Sequence, residues 1–459
     1  MALLIALVVL GAIVWISSLN WRFTVKAVLV LIIFEGVLRK WVLPQASDLI
    51  YFLKDFVLLG AYIRYYLSSE LKYPLQRNTL TIALLMAISW SVFQAFNPSL
   101  GSPVIGFFGL KAYFFYISLM WMLPTLFQSK EELYKFLRSY LLLAIPVCLL
   151  AVAQFFSPPS SLINVYAAGQ EANATAGGAV RVTGTFSYIL GYSTYLVTCF
   201  SFLIPILTLP QTRMWRWLTF AEALLVVGTS FMTGARGLIL YEVLFVVGYA
   251  SVLVLTQPSI AARATKQLIL PIVLISALVP IFFSNAINTF SSRATTASDS
   301  HMFLERAFSA FAEPGLAAQL KGFDGYGTGA THQAVSALRK GLNLPLGEAP
   351  PPSEGEMGRI VLELGLLGFV FWYGVRLLLI FSIWHIFLKL KTPFLRQSAL
   401  AALLLHLINI SSQLVFNNTF AIYYWFFSGF IFLLPTLEHR LFSSYQQYVY
   451  PSHFPSSSN

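Results

Sequence analysis

Apolar stretches of about twenty residues recur along this chain, each the length a helix needs to cross a hydrocarbon layer of about 30 Å. That recurrence constrains the fold more than any motif does. Backbone in lipid finds no water, so it must satisfy its own N–H and C=O groups, and only helices and closed barrels manage this. The apolar–polar alternation of barrel strands is missing. Of 459 residues, 58% are hydrophobic and 10% charged, against about 25% charged in soluble domains. The expected fold is an all-α polytopic membrane helix bundle.

Roughly thirteen spans are expected. They fall near 2–18, 23–43, 48–67, 78–96, 104–127, 136–156, 184–209, 215–233, 237–256, 267–287, 359–388, 395–415 and 419–437. No segment is long and polar enough to be a soluble domain, so residues 1–459 read as a single integral membrane domain. The first span lacks a basic start and a clear small-residue cleavage site, so it is retained as a helix. Lys and Arg concentrate in alternate loops, at Arg22 and Lys26, Arg64 to Arg77, Lys130 to Arg138, Arg213 and Arg216, Arg263 and Lys266, and Lys389 to Arg396. By the positive-inside rule those loops are cytoplasmic, which puts the N-terminus outside and the C-terminus inside. Arg39 and Lys40 dissent from the pattern. Residues 438–459 read as a disordered cytoplasmic tail.

The formal net charge of +11 is scattered over helix ends. It reads as topology and attraction to anionic membrane lipid, and not as a nucleic-acid surface. Cys148 and Cys199 lie in apolar spans and read as small core hydrophobes. Inside the spans, Glu35 is expected to pair with Lys54 and Arg39 with Asp55, fixing helix packing; the rival reading is a polar pathway through the membrane. Trp372, Tyr373, Tyr423, Tyr424 and Trp425 read as belt or packing residues before sugar platforms.

Three irregular segments fall on the outer face: 157–183, the junction around Arg236, and the long loop 288–358. A loop that long inside a compact protein is usually functional or disordered. "SDSHMFLERAFSAFAEPG" spaces its apolar residues as an amphipathic helix on the membrane surface or over a cavity mouth. "KGFDGYGTGATHQ" is rich in glycine, which permits tight turns and close backbone approach to a ligand. It lacks a P-loop lysine and a preceding soluble strand, so it is not a nucleotide site.

"TGARG" at a membrane edge, then "GYGTG", then "EGEMGRIVLELGLLG", with "FNNTFAIYYWFFSGFIFLL" in the last spans, resembles the O-antigen ligase/polymerase superfamily. The resemblance implies a GT-C-like bundle of about 12–13 transmembrane helices with one long, partly helical periplasmic loop. It implies a glycosyltransferase of the bacterial inner membrane, acting at the periplasmic face on undecaprenyl-pyrophosphate-linked glycan. Ligases of this family carry a histidine followed by Asn before the last E-x-G-x-x-G span, where this chain has Ser353, Glu354, Gly355 and Glu356. That departure favours a polymerase of O-antigen or exopolysaccharide repeat units over a ligase.

Such chemistry makes a lipid diphosphate the leaving group, and preorganised cations stabilise its charge. Arginine binds phosphate oxygens bidentately and keeps its charge. Arg236, Arg306 and Arg359 are the expected donor-pyrophosphate ligands, with Arg181 and Arg293 in reserve. No Asp-x-Asp pair occurs, so arginines replace a metal and no cofactor is expected. A carboxylate in apolar surroundings can serve as base for the acceptor hydroxyl; Glu356 is the first choice, followed by Asp324 and His332. Chain-length regulators are the kind of protein partner the reading admits. The rival function is a flippase or exporter of lipid-linked sugars, though no two-fold internal repeat is evident.

Overall fold

The computed structural model describes residues 2–70, 72, 78–167, 175–176, 179–295, 297–321 and 323–449. It is an all-α bundle; the one strand pairing among the described residues joins Thr175–Ala176 to Ala179–Val180.

Helices α1 (Ala2–Leu19) and α2 (Trp21–Val37) follow one another through Asn20, and α2 runs on as a π-helical turn, Leu38–Val42. The chain returns through α3 (Ser47–Tyr51) and α4 (Leu53–Leu67) and crosses again in α5 (Thr79–Ala95). Next come α6 (Pro103–Phe114) with α7 (Ser118–Leu126), then α8 (Lys130–Leu142) with α9 (Ala144–Phe156). Three long helices follow, α10 (Ile189–Leu207), α11 (Arg213–Met232) and α12 (Arg236–Thr256). Between α13 (Pro258–Phe282) and α14 (Ser284–Thr295) the path bends by 84°. After α15 (Ala297–Lys321) and α16 (Val335–Leu342), the bundle closes with α17 (Glu356–Lys389), α18 (Pro393–Ile408), α19 (Asn418–Ser428) and α20 (Phe430–Val449).

Six of these helical stretches are long and apolar enough to cross a membrane, and seven if the bent pair counts as one span. The chain is therefore a multi-pass membrane protein. The other expected spans coincide with helices that are shorter, such as Thr79–Ala95 and Pro393–Ile408, or charge-bearing, such as α2, α4 and α11. Several polar residues inside the spans are satisfied locally. The hydroxyls of Thr194, Thr198, Ser201, Ser230, Ser398 and Ser428 each donate to the carbonyl four residues earlier, which removes the cost of an unbonded group in lipid. Cys148 and Cys199 are free and buried, as small core residues. Trp372, Tyr423, Tyr424 and Trp425 are all buried and pack the bundle centre.

The turns gather at two opposite ends. At one end Arg22 donates to the Thr125 carbonyl, Lys26 pairs with Glu132, the Lys391 N–H donates to Glu438, and Arg440 reaches the Phe127 carbonyl. At the other, Trp41 donates to the Leu162 carbonyl, Arg181 to the Thr233 carbonyl, Asn97 to the Asp324 carbonyl, and Gln413 to the Glu354 carbonyl. The sequence-expected alternation of loops is thus matched by two spatial sets. Arg39 and Lys40, which broke the charge pattern, sit in the second set and are buried, each 5% exposed. Their charge is held by protein partners instead of lipid headgroups.

Two boundaries differ from expectation. The C-terminal helix continues past 438 to Val449, tied down by Glu438 and Arg440; residues 450–459 lie outside the described residues. The segment 288–358 is largely helical, and the C-terminal part of α15 packs through Ala317 on Val361 and Leu362 of α17. Glu313 reinforces this contact by accepting from the Gly355 N–H and the Ser353 hydroxyl. The amphipathic helix expected at the surface is therefore docked, at its C-terminal half, on the bundle.

Candidate functional site

The order of the site begins at a break in α17. Gly365 has φ 67° and ψ −179°, a conformation open essentially to glycine, and an added Cβ there would overlap the Phe323 carbonyl. The break frees carbonyls of the preceding turn. Leu362 and Glu363 accept from the N–H groups of Tyr326 (2.6 Å) and Gly327 (2.9 Å), and Leu364 from the Trp90 indole (2.8 Å). The Glu363 carboxylate, fully buried, then receives four donors: Tyr113 Oη (2.8 Å), Gly329 N (2.9 Å), Thr331 N (2.8 Å) and Thr331 Oγ1 (2.7 Å). Such a ring of donors satisfies a buried carboxylate without a cation. Gly329, at φ 86°, brings the loop against the backbone of Gly109. The close approach expected of the "GYGTG" loop is real, but its object is the protein's own α6 and α17.

Beside this loop lies a cavity of about 450 Å³, lined by Glu35, Arg39, Tyr51, Lys54, Ser187, Tyr188, Gln333, Phe416, Asn417 and Asn418 among others. Lys54 pairs with Glu35 at 2.8 Å, as expected. The second expected pair is not formed. Arg39 instead reaches Glu35 (3.6 Å), the Ser47 carbonyl and hydroxyl (both 3.1 Å) and the Ser187 hydroxyl (3.1 Å), while Asp55 pairs with Lys111 at 2.6 Å. The physical reason is the helical repeat. Glu35 on α2 and Arg39 four residues on, in the π-helical turn, face one another, and Lys111 on α6 brings Asp55 a partner from a third helix. Lys40 donates to the Thr183 hydroxyl (3.1 Å) and the Gly184 carbonyl (2.9 Å).

A second cavity, of about 420 Å³, is lined by Arg181, Ser193, Thr194, Ala235, Gly237, Tyr241, Asn409, Ser412 and Gln413 among others. It shares Leu190 and Asn417 with the first. Asn417 is fixed from both sides: its carbonyl oxygen caps α19 at the Phe420 N–H (3.2 Å), and its amide donates to Thr194 (3.0 Å). Arg39, Lys54 and Glu35 line the first cavity, and Arg181 lines the second.

The residues singled out from sequence distribute unevenly around these cavities. Arg236 is the first residue of α12, and its chain neighbours Ala235 and Gly237 line the second cavity. Arg359 donates to the Ser353 carbonyl (2.8 Å) and lies over the Phe416 ring, 4.9 Å from its centroid; Phe416 lines the first cavity. His332 packs edge-on against Phe108 and contacts Phe416, and its Nδ1 accepts from the Ala334 N–H (3.1 Å). Burial first, and then Lys111 and Arg359, push its pKa down to about 4. The neutral ring therefore carries its proton on Nε2 and offers a donor, not a base.

Glu356 sits at the start of α17, fully buried, with Oε1 paired to Arg376 at 3.0 Å and Oε2 accepting from Val415 N at 2.8 Å. It holds the 414–417 segment in place. Asp324 is exposed, and its backbone carbonyl accepts from the Asn97 amide. Arg306 falls in α15, but its side chain, like that of Arg293, lies outside the described residues. The structure thus brings Arg359, His332 and Glu356 together around Phe416, sets Arg236 beside the neighbouring cavity, and leaves Asp324 apart. Arg39, Lys54 and Glu35, expected as packing groups or as a polar pathway, line the first of these cavities. The signal was available as ionisable residues in mid-span.

Among the described residues no three of His, Cys, Asp and Glu gather as a metal site. Comparison with known proteins finds no matching family model, no matching curated protein and no matching solved structure.

Proposed function

We propose that this chain is a membrane glycosyltransferase that polymerises lipid-linked oligosaccharide repeat units, of the O-antigen or exopolysaccharide type, at the outer face of a bacterial inner membrane. One observation carries the reading: the first of two adjoining cavities at a single end of the bundle sets the buried cations Arg39 and Lys54 against the single lining carboxylate of Glu35. A buried excess of positive charge is costly unless an anion joins it, and a diphosphate at headgroup level is such an anion. In this reading Arg39 and Lys54 grip the donor pyrophosphate, with Arg181, Arg236 and Arg359 around the rim; the expected contribution of Arg306 falls on a side chain outside the described residues. Glu35, the one lining carboxylate, orients the acceptor hydroxyl. Glu356 acts as a positioning residue through Arg376 and Val415.

The test is polymer length in cells carrying Arg39→Gln, Arg236→Ala or Arg359→Ala. Loss of long chains with single repeat units accumulating outside supports the reading; normal polymer in all three variants overturns it.

One observation favours a second reading. The ions Arg39, Glu35 and Lys54 adjoin the Asp55–Lys111 pair, a run of charge such as a flippase of lipid-linked sugars would need. The same variants decide: a flippase defect traps single units on the cytoplasmic side.

A further inference from the structure

At the end of the bundle opposite those cavities, α11 opens with "RMWRW", and Arg213 and Arg216 lie three apart on one helical face. Across from them α13 presents Lys266, Leu270 and Leu274, which descend one face four residues apart, with Gln267 beside Lys266. Between the two helices is a cavity of about 610 Å³, larger than either cavity of the candidate site. Its rim carries three cations, and no lining residue is acidic. Its wall turns apolar away from the rim, through Trp217 and Leu274. Gln267 adds a buried side-chain oxygen with no hydrogen-bond partner among the described residues.

We propose that this cavity binds an anionic phospholipid whose headgroup carries a hydroxyl, phosphatidylglycerol being the simplest example. The phosphate meets Arg213, Arg216 and Lys266, a headgroup hydroxyl donates to the Gln267 oxygen, and an acyl chain follows Trp217 and Leu274. Each element of the ligand has a counterpart in the lining: charge at the rim, an acceptor just beneath it, and an apolar wall below. A free phosphate would leave the apolar wall unused. By the charge alternation of the loops this end is the cytoplasmic one, where anionic lipid is expected. The proposal does not depend on the glycosyltransferase reading.

The experiment is native mass spectrometry of the full-length protein in detergent, titrated with phosphatidylglycerol, phosphatidylcholine or inorganic phosphate. Wild type should retain phosphatidylglycerol selectively, and Arg213→Gln/Arg216→Gln/Lys266→Gln should weaken that retention on the order of a hundredfold. The three side chains are solvent-facing at the rim, with Arg213, Arg216 and Lys266 exposed, so the variant should keep the wild-type elution volume. Gln267→Leu, which keeps every cation, should lower the preference for phosphatidylglycerol over phosphatidic acid, which lacks the headgroup hydroxyls. Equal retention of phosphatidylglycerol by wild type and the triple variant overturns the proposal. So does displacement of the lipid by millimolar inorganic phosphate, which would mark a general anion site.

Discussion

Arg376 and Glu356 are both fully buried, and each depends on the other for its charge. Removing one partner strands the other, at a cost of about 3–5 kcal/mol, whereas replacing both with apolar groups is often neutral. Arg376→Met should therefore sharply lower the unfolding midpoint in detergent, and Arg376→Met/Glu356→Leu should regain part of the loss. His332 makes a pH-dependent contribution. Its folded pKa of about 4 lies below the unfolded value of about 6.5, so the unfolded state takes up its proton first as pH falls. Stability from this residue is present above about pH 6.5, declines between about 6.5 and 4, and levels off below that. His332→Asn should flatten that part of the midpoint-versus-pH curve relative to wild type. At this scale the sequence displays which residues are costly but not who partners them. Glu35 with Lys54 was readable from antiparallel helices; Lys111 with Asp55 was not, because no local spacing announces a third helix.

Helix α17 is where a sequence pattern and its structural use part company. "EGEMGRIVLELGLLG" reads as the entry to a continuous span, and most of it is one. The break at Gly365 has no signal beyond a glycine inside an apolar run, which helices often tolerate. The break frees the carbonyls that bind the glycine loop, and Glu363 completes the attachment. Gly365→Ala should destabilise by more than the ~1–3 kcal/mol of such a backbone conformation alone, because the new methyl also meets the Phe323 carbonyl. Glu363→Ala should leave the spans intact and release residues 323–334. Limited proteolysis would then cut this loop in the variant and spare it in wild type; equal resistance would mean that the carboxylate does not hold it.

Across the whole molecule, the all-α bundle was legible because lipid leaves the backbone so few solutions. The alternation of basic loops also carried through to two opposite ends, with Arg39 and Lys40 explained by burial. The cavities were not legible, since each is assembled from segments far apart in sequence; Arg39, Ser187 and Asn417 meet only in the fold. Single cysteines at Lys340 and Glu354 should react with an impermeant maleimide from one side of the membrane, and those at Lys72 and Thr212 from the other. All four positions are exposed. The central claim, that cations lining the first cavity hold a departing diphosphate, is tested most directly by titrating purified protein with undecaprenyl pyrophosphate and with undecaprenol. Binding should be saturable, should require the diphosphate, and should weaken about tenfold or more in Arg39→Gln through loss of charge-assisted hydrogen bonds. Equal affinity for the two lipids, or unchanged affinity in Arg39→Gln, would contradict it.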